Sequence, residues 1–366
     1  MNNRTKRILI MAGGTGGHVF PGLAVAQCLK TQGICVEWLG TQQGIEAQLV
    51  PAAGIKLNIL SVTGLRGKKF NKLRALLQLI HACWQAVHIV WMFQPDLVLG
   101  MGGFASGPGG LAAWLLRKPL VIHEQNAIPG FTNRILAYLS TKILSAFLTA
   151  FKSSQRVICT GNPVRQEIQC LPAPALRFAE RNGSALHVLV LGGSQGAAAI
   201  NQILPKVAEI LGKAFNQKIQ IWHQTGARHF LATQAAYDKV NSQPWRVAPF
   251  IDEMAEAYAW ADLVICRAGA TTIAELIAAG LGSILIPYPH ATDDHQTHNG
   301  ACLVSVGAAI MIKQPQLTAE HLAQFLKQFI DSDRSELLKM AEAARSLCQA
   351  NATENVASVC SELLKK

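Results

Sequence analysis

The sequence predicts an α/β protein built from two doubly wound domains. Short apolar runs alternate with longer amphipathic stretches, the signature of repeated βα units and parallel sheets. The pattern then restarts near the middle of the chain, and 366 residues are too many for one ordinary α/β domain but suit two.

In the first half, apolar runs predict strands at Arg7–Ala12, Val36–Gly40, Leu97–Met101 and Leu120–Glu124. In the second they predict strands at Leu186–Gly192, Ile219–Gln224, Leu263–Cys266 and Ser283–Pro287. Between the halves, Leu171-Pro172-Ala173-Pro174 has the proline punctuation of a linker neighbourhood. The restart reads as a weak internal repeat. The run from Ile8 to Gly17 is echoed by that from Val188 to Gly196, each an apolar strand, a glycine turn with a hydroxyl residue, and a helix. Ligands of such folds sit at the carboxyl ends of the strands.

Half of the residues are hydrophobic, enough for two sizeable cores. The 9 cysteines are scattered with no zinc or redox spacing, which reads as reduced, cytoplasmic thiol. The charged start runs directly into a strand, so no signal peptide is expected. The net charge of +11 is uneven: residues 1–163 carry +12 and residues 164–366 carry −1. The first half should therefore face something anionic, be it nucleic acid, acidic lipid or a phosphorylated substrate.

Leu76–Phe93 is 18 residues long and has no Asp, Glu, Lys or Arg, close to the minimum for a membrane span. Asn71, Arg74, Gln78, His81, Gln85 and His88 nevertheless fall on one helical stripe. The expectation is an amphipathic helix packed on the sheet, with part of its apolar surface available to a bilayer.

A glycine turn after a strand lets backbone approach a ligand, and the following helix offers free N–H groups to a phosphate. Gly13–His18 and Gly192–Ala197 both have this form. There is no Gly-x-x-x-x-Gly-Lys-Ser/Thr, which argues against a P-loop NTPase. Glu37, about twenty residues beyond the first loop, leaves a dinucleotide site open. His18 opens the first helix, as an ordinary helix residue or as a base; imidazole suits proton transfer near neutral pH. After the predicted strand Leu263–Cys266, Thr272 and Glu275 have capping-box spacing, so Glu275 reads first as a helix cap and second as a ribose ligand. His290, Asp293, Asp294, His295 and His298 have no coherent ligand spacing and read as a polar loop, not a metal site.

Taken in order, five segments are familiar: Gly13–Gly22, His123-Glu124-Gln125-Asn126, Gly161-Asn162-Pro163-Val164-Arg165, Gly192–Ala197 and Ala270–Glu275. They resemble the MurG family, the UDP-N-acetylglucosamine:lipid-linked muramyl-pentapeptide N-acetylglucosaminyltransferases of glycosyltransferase family 28, over almost the whole chain. The resemblance implies the GT-B fold, with two Rossmann-like domains facing across a cleft. Residues 1–163, with a returning helix at about 345–366, would form the acceptor and membrane domain, and residues 164–344 the donor domain. It implies an inverting transfer to lipid I that uses UDP-N-acetylglucosamine as donor and requires no cofactor or metal.

By position, the resemblance gives Thr15, Gly16 and Gly17 to the acceptor diphosphate and donor sugar, and Asn126 to the donor sugar. Arg165, Ser194 and the backbone of Ile251 would hold the UDP. Ala270, Thr271, Thr272, Ile273, Ala274 and Glu275 would hold uracil, ribose and diphosphate, with Glu275 on the ribose diol. Gln296 would bind sugar hydroxyls. His18 is the candidate base, with Glu124 and His123 as rivals. The resemblance also implies a peripheral enzyme on the cytoplasmic face of the inner membrane, with other cell-wall enzymes as partners and no nucleic acid. Lys68, Lys69 and Lys72 beside Trp84, Trp91 and Trp114 form the expected membrane patch, at least one of the tryptophans being expected in the core. A UDP-N-acetylglucosamine 2-epimerase and a basic nucleotide- or nucleic-acid-binding protein are the competing readings.

Overall fold

A computed structural model describes residues 4–61, 72–181, 184–193, 196–212, 217–240, 245–332, 334–349 and 351–365; the side chains of residues 72–75 are outside the description. Ser194, Lys68, Lys69 and the side chain of Lys72 therefore lie outside the described residues.

The chain forms two compact units. One comprises Met1–Arg165 with Gln349–Lys366, the other Gln166–Cys348.

In the first unit the described strands are β1 (Arg7–Ala12), β2 (Cys35–Thr41), β3 (Lys56–Leu60), β4 (Leu97–Gly102), β5 (Leu120–Glu124), β6 (Lys142–Ser145) and β7 (Val157–Cys159). They make a parallel sheet in the order β3-β2-β1-β4-β5-β6-β7. Ile8 through Ala12 are completely buried, as expected of a central parallel strand covered on both faces. On one face Ile8 and Ile10 pack with Val19, Val25 and the C-terminal helix Ala352–Leu364, through Val356, Ala357 and Cys360. On the other, Leu9 and Met11 pack with Ala82, Ala86 and Val90 of helix Lys72–Phe93 and Ala112 of helix Ser106–Leu115.

The second unit holds β8 (Leu186–Leu191), β9 (Ile219–Gln224), β10 (Trp245–Ala248), β11 (Leu263–Cys266), β12 (Gly282–Leu285) and β13 (Ala309–Met311). They form a parallel sheet in the order β10-β9-β8-β11-β12-β13. Each sheet thus reverses its winding between its first strand and the one that pairs on the other side, β1/β4 and β8/β11. That switch point is where doubly wound sheets open a crevice.

Candidate functional site

At the β1/β4 switch point two glycine loops meet. The loop after β1 passes Gly13 and Gly14 into helix Gly16–Thr31, whose first turn has no acidic residue. The loop after β4 turns at Gly102 and Gly103, with φ of +100° and +81°. A Cβ on Gly103 would lie 2.2 Å from the Gly13 carbonyl oxygen, so only glycine lets the two backbones touch. Behind the first loop, the buried Glu46 accepts from Gly14 N–H at 3.0 Å, Thr41 N–H at 3.0 Å and the Thr41 hydroxyl at 2.7 Å. The sequence reading missed Glu46, whose partners in the chain carry no spacing signal.

Thr15 is the extended N-cap residue of that helix and makes no side-chain cap bond; Gly16 and Gly17 are its first helical residues. The His18 ring lies against Gly102, where a Cβ would come within 2.8 Å of Nδ1. Nδ1 is 3.1 Å from Oε1 of Gln125, at the end of β5.

The two rival bases are both buried and hydrogen-bonded. Glu124 is buried, and its carboxylate accepts from Asn126 N–H and Nδ2 at 3.0 Å each, Gly130 N–H at 3.0 Å and Asn133 Nδ2 at 2.9 Å. It ties down the loop after β5 and is almost entirely covered. His123 is completely buried, with Nε2 3.0 Å from Gly161 O. Burial pushes its pKa down to about 4, which keeps it neutral. Glu37 does not serve a dinucleotide. It lies mid-strand opposite Leu9, and its carboxylate takes Lys56 and Asn58.

Arg165 closes the first unit with its guanidinium 4.9 Å over the Phe20 ring.

In the second unit the loop after β8 packs on the end of β9. A Cβ on Gly192 would meet Gln224 O at 2.8 Å, and one on Gly196 (φ +77°) would meet Thr225 O at 2.5 Å. The helix that follows, Ala198–Leu211, also lacks acidic residues in its first turn. After β11, helix Ala270–Ala279 is N-capped by Gly269 with no side-chain cap bond, so Glu275 is not a capping residue. Glu275 is instead nearly buried one turn further on, accepting from the Tyr258 hydroxyl at 2.9 Å. Thr271, Thr272, Ile273 and Ala274 fill the turns before it. Ile251 is buried in the segment after β10. Gln296, on helix His295–Ser305, accepts from Tyr288 N–H at 2.8 Å. His295 Nδ1 is 2.6 Å from Thr292 O, and Asp294 accepts from the Thr297 hydroxyl. Among the described residues no three His, Cys, Asp or Glu side chains converge to hold a metal ion.

The tryptophans correct another expectation: none is core. Trp84, Trp91 and Trp114 are 66%, 57% and 51% exposed. Helix Lys72–Phe93 buries Ala82, Ala86 and Val90, and turns Leu77, Ile80, Trp84, Trp91 and Met92 outward. His81 and His88 are interleaved with the two tryptophans along that outer face.

Comparison with known proteins follows the same division. Residues 8–145 match the glycosyltransferase family 28 N-terminal domain, and residues 187–358 the glycosyltransferase family 28 C-terminal domain. The UDP-N-acetylglucosamine–N-acetylmuramyl-(pentapeptide) pyrophosphoryl-undecaprenol N-acetylglucosamine transferase of Marinobacter nauticus is 51% identical over 98% of this chain and 97% of its own length. The crystal structure of Acinetobacter baumannii MurG superposes with a TM-score of 0.81 at 38% identity, covering 98% of this chain and 99% of that one. A UDP-N-acetylglucosamine 2-epimerase structure from Listeria monocytogenes shares the fold alone, with a TM-score of 0.69 at 14% identity over 99% and 98% of the two chains. Both halves of the family occur in order and the kinship runs the length of the molecule: the chain belongs to glycosyltransferase family 28, with the GT-B fold and of the MurG type.

Proposed function

We propose that this enzyme transfers N-acetylglucosamine from UDP-N-acetylglucosamine to the 4-hydroxyl of undecaprenyl-diphospho-N-acetylmuramyl-pentapeptide, with inversion at the anomeric carbon. The observation that carries this reading is full-length identity of about one half to transferases of that name. No cofactor is required, because the nucleotide sugar is itself the activated reactant.

In the step, the acceptor oxygen forms a bond to the anomeric carbon as the bond from that carbon to the β-phosphate oxygen breaks. The hydroxyl proton goes to Nε2 of His18, and UDP leaves with the bonding pair. His18 is favoured over its neighbours on strand β5 because it is only half-buried, whereas His123 and Glu124 are enclosed and occupied. Helices Ala198–Leu211 and Ala270–Ala279 start without acidic residues, and the positive end of a helix dipole favours an anion, which suits the donor diphosphate. Glu275, its carboxylate steadied by Tyr258, suits the ribose diol. Arg165, Ser194, Ile251, Asn126 and Gln296 complete the donor contacts by family kinship. Thr15, Gly16 and Gly17 do the same for the acceptor diphosphate.

The same reading puts the first unit on the cytoplasmic leaflet through its exposed tryptophan-bearing helix face and basic charge, as a peripheral enzyme working beside others of cell-wall synthesis.

The test is incubation with UDP-N-acetylglucosamine and a lipid-linked muramyl acceptor. Acceptor-dependent UDP release with a disaccharide product is expected. Epimerised sugar without acceptor would mean a 2-epimerase instead. His18→Ala should lower turnover roughly 10²-fold with UDP affinity unchanged, the usual worth of a general base; a fully active variant would move the base elsewhere.

A further inference from the structure

A histidine serves as a base only in the tautomer that leaves the correct nitrogen bare, and the surroundings of His18 set that tautomer. Gln125 is buried, 1% exposed, and its Nε2 donates to the Met101 carbonyl at 2.7 Å. A carbonyl oxygen only accepts, so the amide cannot be reversed without setting two oxygens 2.7 Å apart with no proton between them. Oε1 must therefore face His18 Nδ1, 3.1 Å away, and as an acceptor it requires Nδ1 to carry the proton. The backbone of Gln125 is anchored as well, its carbonyl accepting from Asn162 Nδ2 at 3.1 Å. Gly102 also lies against the ring and leaves no room there for a side chain.

We propose that Gln125 is a positioning residue for the transfer: it holds His18 as the Nδ1–H tautomer, so that Nε2 carries the lone pair that receives the acceptor's proton. The claim rests on His18 being the base. Once His18 is protonated the Nδ1–H···Oε1 bond persists, so the imidazolium is held in place while the glycosidic bond forms. A neutral amide does this without placing a carboxylate beside the ring.

The test uses the full-length enzyme with ¹⁵N-labelled histidine and two variants, Gln125→Leu and Gln125→Glu. In the wild type the His18 resonances should report a protonated Nδ1 and a bare Nε2. Gln125→Leu removes the acceptor. It should move His18 toward the Nε2–H tautomer and lower kcat about tenfold, with KM for UDP-N-acetylglucosamine and UDP affinity unchanged. Gln125→Glu keeps an oxygen facing Nδ1, and its carboxyl must carry a proton to donate to the Met101 carbonyl in place of the amide N–H; in that protonated form it should retain the tautomer and most of kcat. An unchanged tautomer in Gln125→Leu overturns the proposal, as does a changed tautomer with wild-type kcat while His18→Ala is inactive. Equal loss in both variants, with the tautomer unmoved in either, also overturns it by assigning Gln125 a purely structural role. An active His18→Ala overturns the base assignment instead, and the tautomer measurement still reads independently of it.

Discussion

Two buried carboxylates stand within reach of the first unit's loops, and both are engaged in hydrogen bonds that hold those loops. Glu124 spends three hydrogen bonds on the loop after β5 and a fourth on Asn133 of the helix that follows, and Glu46 divides its two oxygens between Gly14 and Thr41. Glu46 thereby fixes the glycine turn from which Thr15, Gly16 and Gly17 are presented. Glu46→Gln sets an amide donor where only acceptors fit, and one N–H or O–H in the cluster loses its partner. The expected cost is roughly 2 kcal/mol of stability, read as a lower urea midpoint, with a raised KM for the lipid acceptor and unchanged UDP affinity. A wild-type midpoint would show that the turn stands without this carboxylate.

At the scale of the element, the tip of β5 delivers three successive side chains to three tasks: His123 to Gly161, Glu124 to the following loop, Gln125 to His18. His123 titrates at about 4 against an ordinary 6.5, so below pH 6.5 the unfolded chain binds a proton that the folded chain refuses. Its contribution is present above pH 6.5 and is lost as pH falls from 6.5 to 4, by about 1.4 kcal/mol per pH unit. His223, at about 3 in the second unit, adds the same slope there. His123→Gln should flatten the acid-side loss in hydrogen exchange of β5 amides and leave the second unit's slope intact; an unaltered β5 slope would rule His123 out. Strands such as β1, β4 and β8 were legible because burial on both faces writes them as apolar runs. The strands that sequence reading missed, β3, β6, β7, β10 and β13, are short, and all but β6 are sheet edges with half-buried, mixed residues. His18 and Glu275 could be singled out as candidates because they follow a strand and a small-residue turn. Gln125, Glu46 and Tyr258 were not, because each acts on a partner that only tertiary folding brings near.

The whole molecule is asymmetric in charge, and most of the exposed large apolar side chains among the described residues lie in the positive half. Residues 1–163 carry +12. On the same unit, helix Lys72–Phe93 turns Leu77, Ile80, Trp84, Trp91 and Met92 to the outside and packs against helix Ser106–Leu115, which exposes Trp114 and Leu115. A soluble partnerless surface seldom gathers so many large apolar groups. Two forces should therefore hold the unit on a bilayer: attraction to anionic headgroups of about 1 kcal/mol per basic residue close to the surface, and apolar burial of roughly 1–2 kcal/mol per inserted tryptophan. They respond to different perturbations. Raising salt should weaken binding to vesicles containing anionic phospholipid and leave the apolar part. The double substitution Trp84→Ser and Trp91→Ser should reduce binding about tenfold or more at any salt concentration. Because both side chains lie outside the core, it should leave the thermal midpoint and UDP affinity as they were. Sedimentation with vesicles, run with and without the anionic lipid, measures both arms. Binding that ignores salt and survives loss of both tryptophans would place the membrane-facing surface elsewhere on the molecule.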